Sequence, residues 1–86
     1  MTSSGGQVKN SDDRIKAVEF HARSDNGNSA YVGDKDVSSN NGRELVPGES
    51  FQFDFSLVNK EGSVPFSELY ISTTGNDQVD VSVAKE

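Results

Sequence analysis

Cysteine and tryptophan are missing from this 86-residue chain, and histidine occurs once, at His21. Without cysteine there is no disulfide staple, no thiolate metal ligand and no thiol nucleophile. The lone His21 stands between Glu19 and Arg23 in an alternating run, which reads as an exposed strand residue rather than a general base. No G-x-S-x-G, P-loop or G-x-G-x-x-G pattern occurs, so the glycines read as scattered turn formers. No catalytic, cofactor-binding or metal-ligating residue is expected, and the chain reads as non-enzymatic. Basic residues are in the minority, 8 against 14 acidic, for a net charge of -6. That balance disfavours nucleic acid and anionic membrane as partners. No apolar run approaches the roughly 20 residues that span a bilayer. The N-terminus lacks a charged-then-apolar signal pattern, so the expected site of synthesis is a cytoplasm. Apolar residues make up only 31% of the chain, enough for one small core whose stability leans on partners or an oligomer.

What the chain does have is turns. Asn41-Gly42 and Pro47-Gly48 punctuate the stretch from Tyr31 to Ser50, and Ser24-Asp25-Asn26-Gly27-Asn28 and Asn59-Lys60-Glu61-Gly62 do the same on either side. Between them lie short runs of period 2. Arg14 to Arg23 sets Val18, Phe20 and Ala22 against Glu19, His21 and Arg23. A helix is the rival there, but a strong turn cluster follows and no cap does. Ser29 to Gly33 and Arg43 to Val46 are short strands. Ser50 to Val58 alternates Phe51, Phe53, Phe55 and Leu57 with polar positions and is the clearest element. Phe66 to Ser72 and Gln78 to Ala84 complete the set. Pro47-Gly48 fits a type II turn, and Asn40-Asn41-Gly42 offers positive φ angles to a tight one.

The expected fold is therefore all-β: a small antiparallel β-sandwich, jelly-roll-like or immunoglobulin-like, over residues 14–86. A small closed barrel is the alternative. Residues 1–13 hold only Val8 as an interior-type side chain and are expected to form a flexible N-terminal arm. Two acidic clusters, Asp25-Asn26-Gly27-Asn28 and Asp34-Lys35-Asp36, offer oxygen ligands. They lack the calcium-loop spacing with its distal glutamate and read as turn residues.

Candidate contact residues follow from these placements. Gln7, Val8 and Lys9 are the part of the arm expected to order on a partner. Tyr31 and Tyr70 sit opposite the apolar registers of their strands. They suit a subunit interface, a sugar-stacking platform, or simple cover for a second sheet face.

The stretch YVGDKDVSSNNGRELVPGES resembles a pattern in small tailed-bacteriophage virion proteins: Y-V-G-D, then D-V-S, an N-G turn, a leucine and P-G-E-S before the next strand. Leu69-Tyr70-Ile71-Ser72, followed by Gly75-Asn76-Asp77-Gln78-Val79, is similar to that family's last two strands, although the order Leu-Tyr-Ile departs from it. The likeness spans about Val18 to Val83. It implies a virion structural protein of the capsid decoration or cement type, bound to the major capsid protein on the head surface as a homo-oligomer, a trimer or dimer. A carbohydrate-binding adhesion module and a neck, tail or head-fibre protein are the alternatives. The motif positions Gly33, Gly42, Pro47 and Gly48 are implied to shape turns, and Leu45 to anchor the core.

Overall fold

The computed structural model describes residues 1–55 and 62–85. Nine strands form among the described residues: β1 (Thr2–Ser3), β2 (Gly6–Gln7), β3 (Arg14–Ala22), β4 (Ala30–Gly33), β5 (Arg43–Leu45), β6 (Ser50–Asp54), β7 (Val64–Pro65), β8 (Tyr70–Ser72) and β9 (Val79–Lys85). One antiparallel sheet runs β1-β9-β3-β6, with β7 also paired to β3, and the other runs β2-β8-β4-β5. Ile15 pairs with both Val64 and Lys85, so β7 continues along the side of β3 that β6 occupies.

The inward positions follow the period-2 pattern. Val18, Phe20 and Ala22 of β3 face the same way as Val79 and Val81 of β9, and all five are buried. From the other sheet come Ala30, Val32, Leu45 and Ile71, also buried. Phe51, Phe53 and Phe55 are only partly buried and pack against the rim of this core. The expected two-sheet sandwich is thus present, with separate sheet edges rather than barrel closure. With β7 set aside, the first two strands lie beside the last two, and the third and fourth beside β6 and β5. That is the strand order of a jelly roll, one of the two sandwich types expected.

The Pro47-Gly48 turn is as expected: the Glu49 N–H donates to the Val46 carbonyl at 2.9 Å, and Gly48 has φ +88°. At Asn41-Gly42 the details differ. The tight turn is Ser38 to Asn41, closed by Asn41 N–H to Ser38 O at 3.1 Å and the reciprocal bond at 2.8 Å. No asparagine in it has positive φ; Gly42 alone does, at +133°.

Three other expectations are corrected. Residues 1–13 were expected as a flexible arm, but β1 pairs with β9 and β2 with β8. The reason is that main-chain pairing, which leaves no pattern in the side chains, contributes much of what holds this segment. The Met1 amine donates to Val81 O at 2.8 Å, Val81 N–H to Met1 O at 2.7 Å, and Val8 N–H to Leu69 O at 2.9 Å. Positive φ at Gly5 and Gly6 lets the chain step from one sheet to the other. Phe66 to Ser72 is not one strand. Phe66–Glu68 form a 3-10 turn, and only Tyr70–Ser72 pair as a strand. The clearest expected strand, Ser50 to Val58, ends as a strand at Asp54, and its continuation through 56–58 lies outside the described residues.

Candidate functional site

Cross-strand register decides which side chains share the outer face of the four-stranded sheet. Tyr70 is opposite Gln7 on one side and Gly33 on the other. Ser72 is opposite Tyr31, and Tyr31 is opposite Glu44. Residues two apart on a strand point the same way. The face therefore carries two adjacent rows, Gln7–Tyr70–Gly33 and Ser72–Tyr31–Glu44. The two tyrosines are diagonal neighbours, about 7–8 Å apart by sheet geometry. Both are half-buried, with the Val32 and Ile71 side chains beneath the sheet holding the strands on the core.

Of the five residues that the sequence singles out, three come together here: Gln7, Tyr31 and Tyr70. Gln7 is exposed, and its Nε2 donates to Ser67 O at 2.8 Å, which fixes the amide at the rim. Lys9 stands off the face, with its Nζ 5.7 Å from the centre of the Phe66 ring. Val8 packs against the hydrophobic core and is no contact residue of this face. The sequence signal for Val8 was its isolation among polar residues, which marks a buried anchor as readily as a docking one.

Among the described residues two hollows are lined in part by Tyr70, and neither by Tyr31. A shallow one of about 390 Å³ lies beside Tyr70, between Ser4 to Gly6 and Lys35 with Val37, and is floored by Ile71 to Thr73. A larger one of about 710 Å³ opens between the sheets. Phe51, Phe53, Phe55, Val18 and Leu69 line it, with Lys35, Arg43 and Glu68 among its polar residues. Arg43 stacks 4.6 Å above the Phe51 ring and so joins the two sheets at that side.

The outer face of the other sheet is polar. Rows Ala84–Ala17–Asp54, Ser82–Glu19–Gln52 and Asp80–His21–Ser50 follow from the register. His21 Nδ1 lies 2.8 Å from Ser50 Oγ. At one corner Arg23 donates to Asp80 at 3.1 Å, to Gln78 Oε1 at 2.8 Å and to Thr2 Oγ1 at 3.3 Å. The hydrogen bond from Arg23, assisted by Thr2 and by nearby positive charge, holds the Asp80 carboxyl below its ordinary value of 3.8. A carboxyl depressed by folding adds stability above its unfolded pKa, and that stability is lost as pH falls through the folded value. The Arg23–Asp80–Thr2 corner is therefore expected to loosen only below about pH 3.8. In an NMR titration, Arg23→Ala should move the Asp80 midpoint upward; an unmoved midpoint contradicts the pairing.

The acidic turns are structural. Asp77 accepts the N–H groups of Gly27 and Asn28, both at 2.9 Å, and Asn26 exchanges two hydrogen bonds with the main chain of Gln78. Asp34 Oδ1 accepts Asp36 N–H at 2.9 Å. Among the described residues no group of three His, Asp or Glu side chains is placed to hold a metal ion. Nor is any helix among them long and apolar enough to cross a membrane. No family model matches the chain, and neither a curated protein nor a solved structure matches it.

Proposed function

We propose that this chain is a non-enzymatic virion structural protein of a tailed bacteriophage, a decoration or cement protein on the outer surface of the head. It docks on the major capsid protein through the outer face of its four-stranded sheet, in a homo-oligomer, and it is made in the host cytoplasm. The observation that carries this reading is the register that sets Gln7, Tyr31 and Tyr70 on one open face. Tyrosine is enriched at protein interfaces because its ring buries a large area while its hydroxyl keeps a partner. The resemblance of Tyr31 to Ser50 to small phage proteins supports the phage context. The jelly-roll strand order is one used by viral coat domains, which supports it by analogy of fold alone. With a net charge of -6, the chain suits a basic patch on its partner.

Counting copies in purified virions tests the proposal. A decoration protein is present in numbers comparable to the capsid protein's symmetry sites. A single ring's worth assigns the chain to the neck or tail, and absence from virions rejects the reading. One observation favours a second reading, a carbohydrate-binding adhesion module. The hollow beside Tyr70 is lined by Ser4, Lys35, Ser72 and Thr73, which supply hydroxyl and ammonium groups next to a ring. A glycan array without hits removes it.

A further inference from the structure

Two asparagines of the chain precede a glycine, Asn26 and Asn41. Such a dipeptide is open to attack of the main chain on its own side chain, because glycine has no Cβ to shield its nitrogen. The fold treats the two sites differently. At the first, the Gly27 N–H donates to Asp77 Oδ1 at 2.9 Å. The Asn26 amide is held at both ends: Nδ2 donates to Gln78 O at 2.8 Å, and Oδ1 accepts the Gln78 N–H at 2.9 Å. At the second, the Gly42 N–H has no acceptor among the described residues. The Asn41 amide makes one long bond, Nδ2 to Asp36 O at 3.3 Å. Both Asn41 and Gly42 are exposed. The two main-chain bonds that tie Asn41 to Ser38 use neither the Gly42 nitrogen nor the Asn41 side chain.

We infer that Asn41 is a site of spontaneous deamidation, and that the fold protects Asn26 in the same dipeptide from it. In the reaction the Gly42 nitrogen gives its proton to hydroxide and attacks Asn41 Cγ. A bond forms between that nitrogen and Cγ, the Cγ–Nδ2 bond breaks, and Nδ2 takes a proton from water and leaves as ammonia. The cyclic imide that remains adds water at either carbonyl, giving aspartate or isoaspartate. The balance is one water consumed and one ammonia released, with no oxidant or reductant. At Asn26 each step is opposed. The proton to be lost is engaged by the Asp77 carboxylate, whose negative charge also disfavours the anion left behind. The amide must come off the Gln78 main chain before Cγ is within reach of the Gly27 nitrogen. At Asn41 the one bond to be broken lies outside the usual range of N–H to oxygen distances. The product sets a new negative charge in the turn before β5, on a chain whose net charge is already -6. Isoaspartate also lengthens the main chain there by one atom, beside the Val32–Arg43 pair and one pair away from Tyr31–Glu44. The inference rests on the two turns alone and holds whether or not the chain sits on a virion.

Peptide mapping by mass spectrometry, after storage of the folded chain in mildly alkaline buffer, reads the two sites separately. Asn41 should convert about ten-fold or more faster than Asn26, the gap expected where a charge-assisted hydrogen bond must break first. In concentrated urea the two rates should draw together, since both asparagines precede glycine and the fold no longer distinguishes them. Asp77→Ala, with its fold checked by its unfolding curve, frees the Gly27 N–H and should speed conversion at Asn26 while leaving Asn41 unchanged. If that variant does not fold, the comparison of folded and unfolded chain decides. An Asn41 that converts no faster than Asn26 in the folded chain, a ratio of rates in urea equal to that in the fold, or a folded Asp77→Ala chain whose Asn26 is no faster overturns the inference.

Discussion

Replacing Gly42 by alanine is expected to destabilise the domain by about 2–5 kcal/mol, a large share of the roughly 5–15 kcal/mol that holds a domain together. Two effects act at one atom. Gly42 has φ +133°, where side-chain-bearing residues are strained, at a cost on the order of 1–3 kcal/mol. A Cβ there would also lie 2.6 Å from Val37 Cγ2 and 2.9 Å from the Val32 carbonyl oxygen. Val37 can turn aside. Val32 O cannot, because it belongs to β4, which pairs on both sides. Overpacking of this kind costs about 1–3 kcal/mol more. Gly33→Ala is the matched comparison. Its Cβ would meet the same methyl at 3.4 Å and it needs no positive φ, so the loss there should be much smaller. Urea unfolding of the two variants checks this. A Gly42→Ala loss no larger than that of Gly33→Ala contradicts the close approach of the β4–β5 connection to β4.

Phe66→Ala is expected to cost about 3–5 kcal/mol, the range for truncating a fully buried aromatic ring. Phe66 is 2% exposed. Its N–H donates to Asp13 O at 2.8 Å, and the next residue's to Ser11 O at 3.0 Å. The ring thus sits where the N-terminal segment, the 3-10 turn and the core meet. A straight strand from Phe66 to Ser72 would give Phe66 the parity of Tyr70 and turn it outward. The 3-10 turn reverses this and puts Phe66 and Leu69 inside together. The substitution therefore separates two local structures. Phe51→Ala, at a half-exposed edge position, should lose clearly less. Thermal or urea unfolding that ranks Phe51→Ala at or above Phe66→Ala contradicts the turn.

That turn marks where the sequence stops being legible. Alternation identifies β3, β4, β6 and β9 because each has one wet face and one buried face. It misses a 3-10 turn, since apolar residues three apart mimic a broken strand. It also misses β1 and β2, whose side chains carry no pattern: Thr2, Ser3, Gly6 and Gln7 are chosen by main-chain pairing at two sheet edges. The candidate site was half legible. Parity alone puts Tyr31 and Tyr70 on outward faces. That they share one face, and share it with Gln7, depends on register between strands roughly 40 to 60 residues apart, which follows from the long-range wrap of the jelly roll. Val8 and Lys9 look equivalent to Gln7 in the sequence, yet the structure turns Val8 inward and sets Lys9 over Phe66.

The same distinction between faces gives the most direct test of the docking claim. Virions assembled with a Tyr31→Ala/Tyr70→Ala chain, whose fold is checked by its unfolding curve, can be compared by quantitative mass spectrometry with virions carrying Glu19→Ala/Ser82→Ala, which alters the opposite sheet face. The account predicts that copies per particle fall about ten-fold or more for the tyrosine variant, as for loss of interface anchors, and stay near the unmodified number for the other. Full occupancy by the folded tyrosine variant, or an equal fall in both, would contradict it.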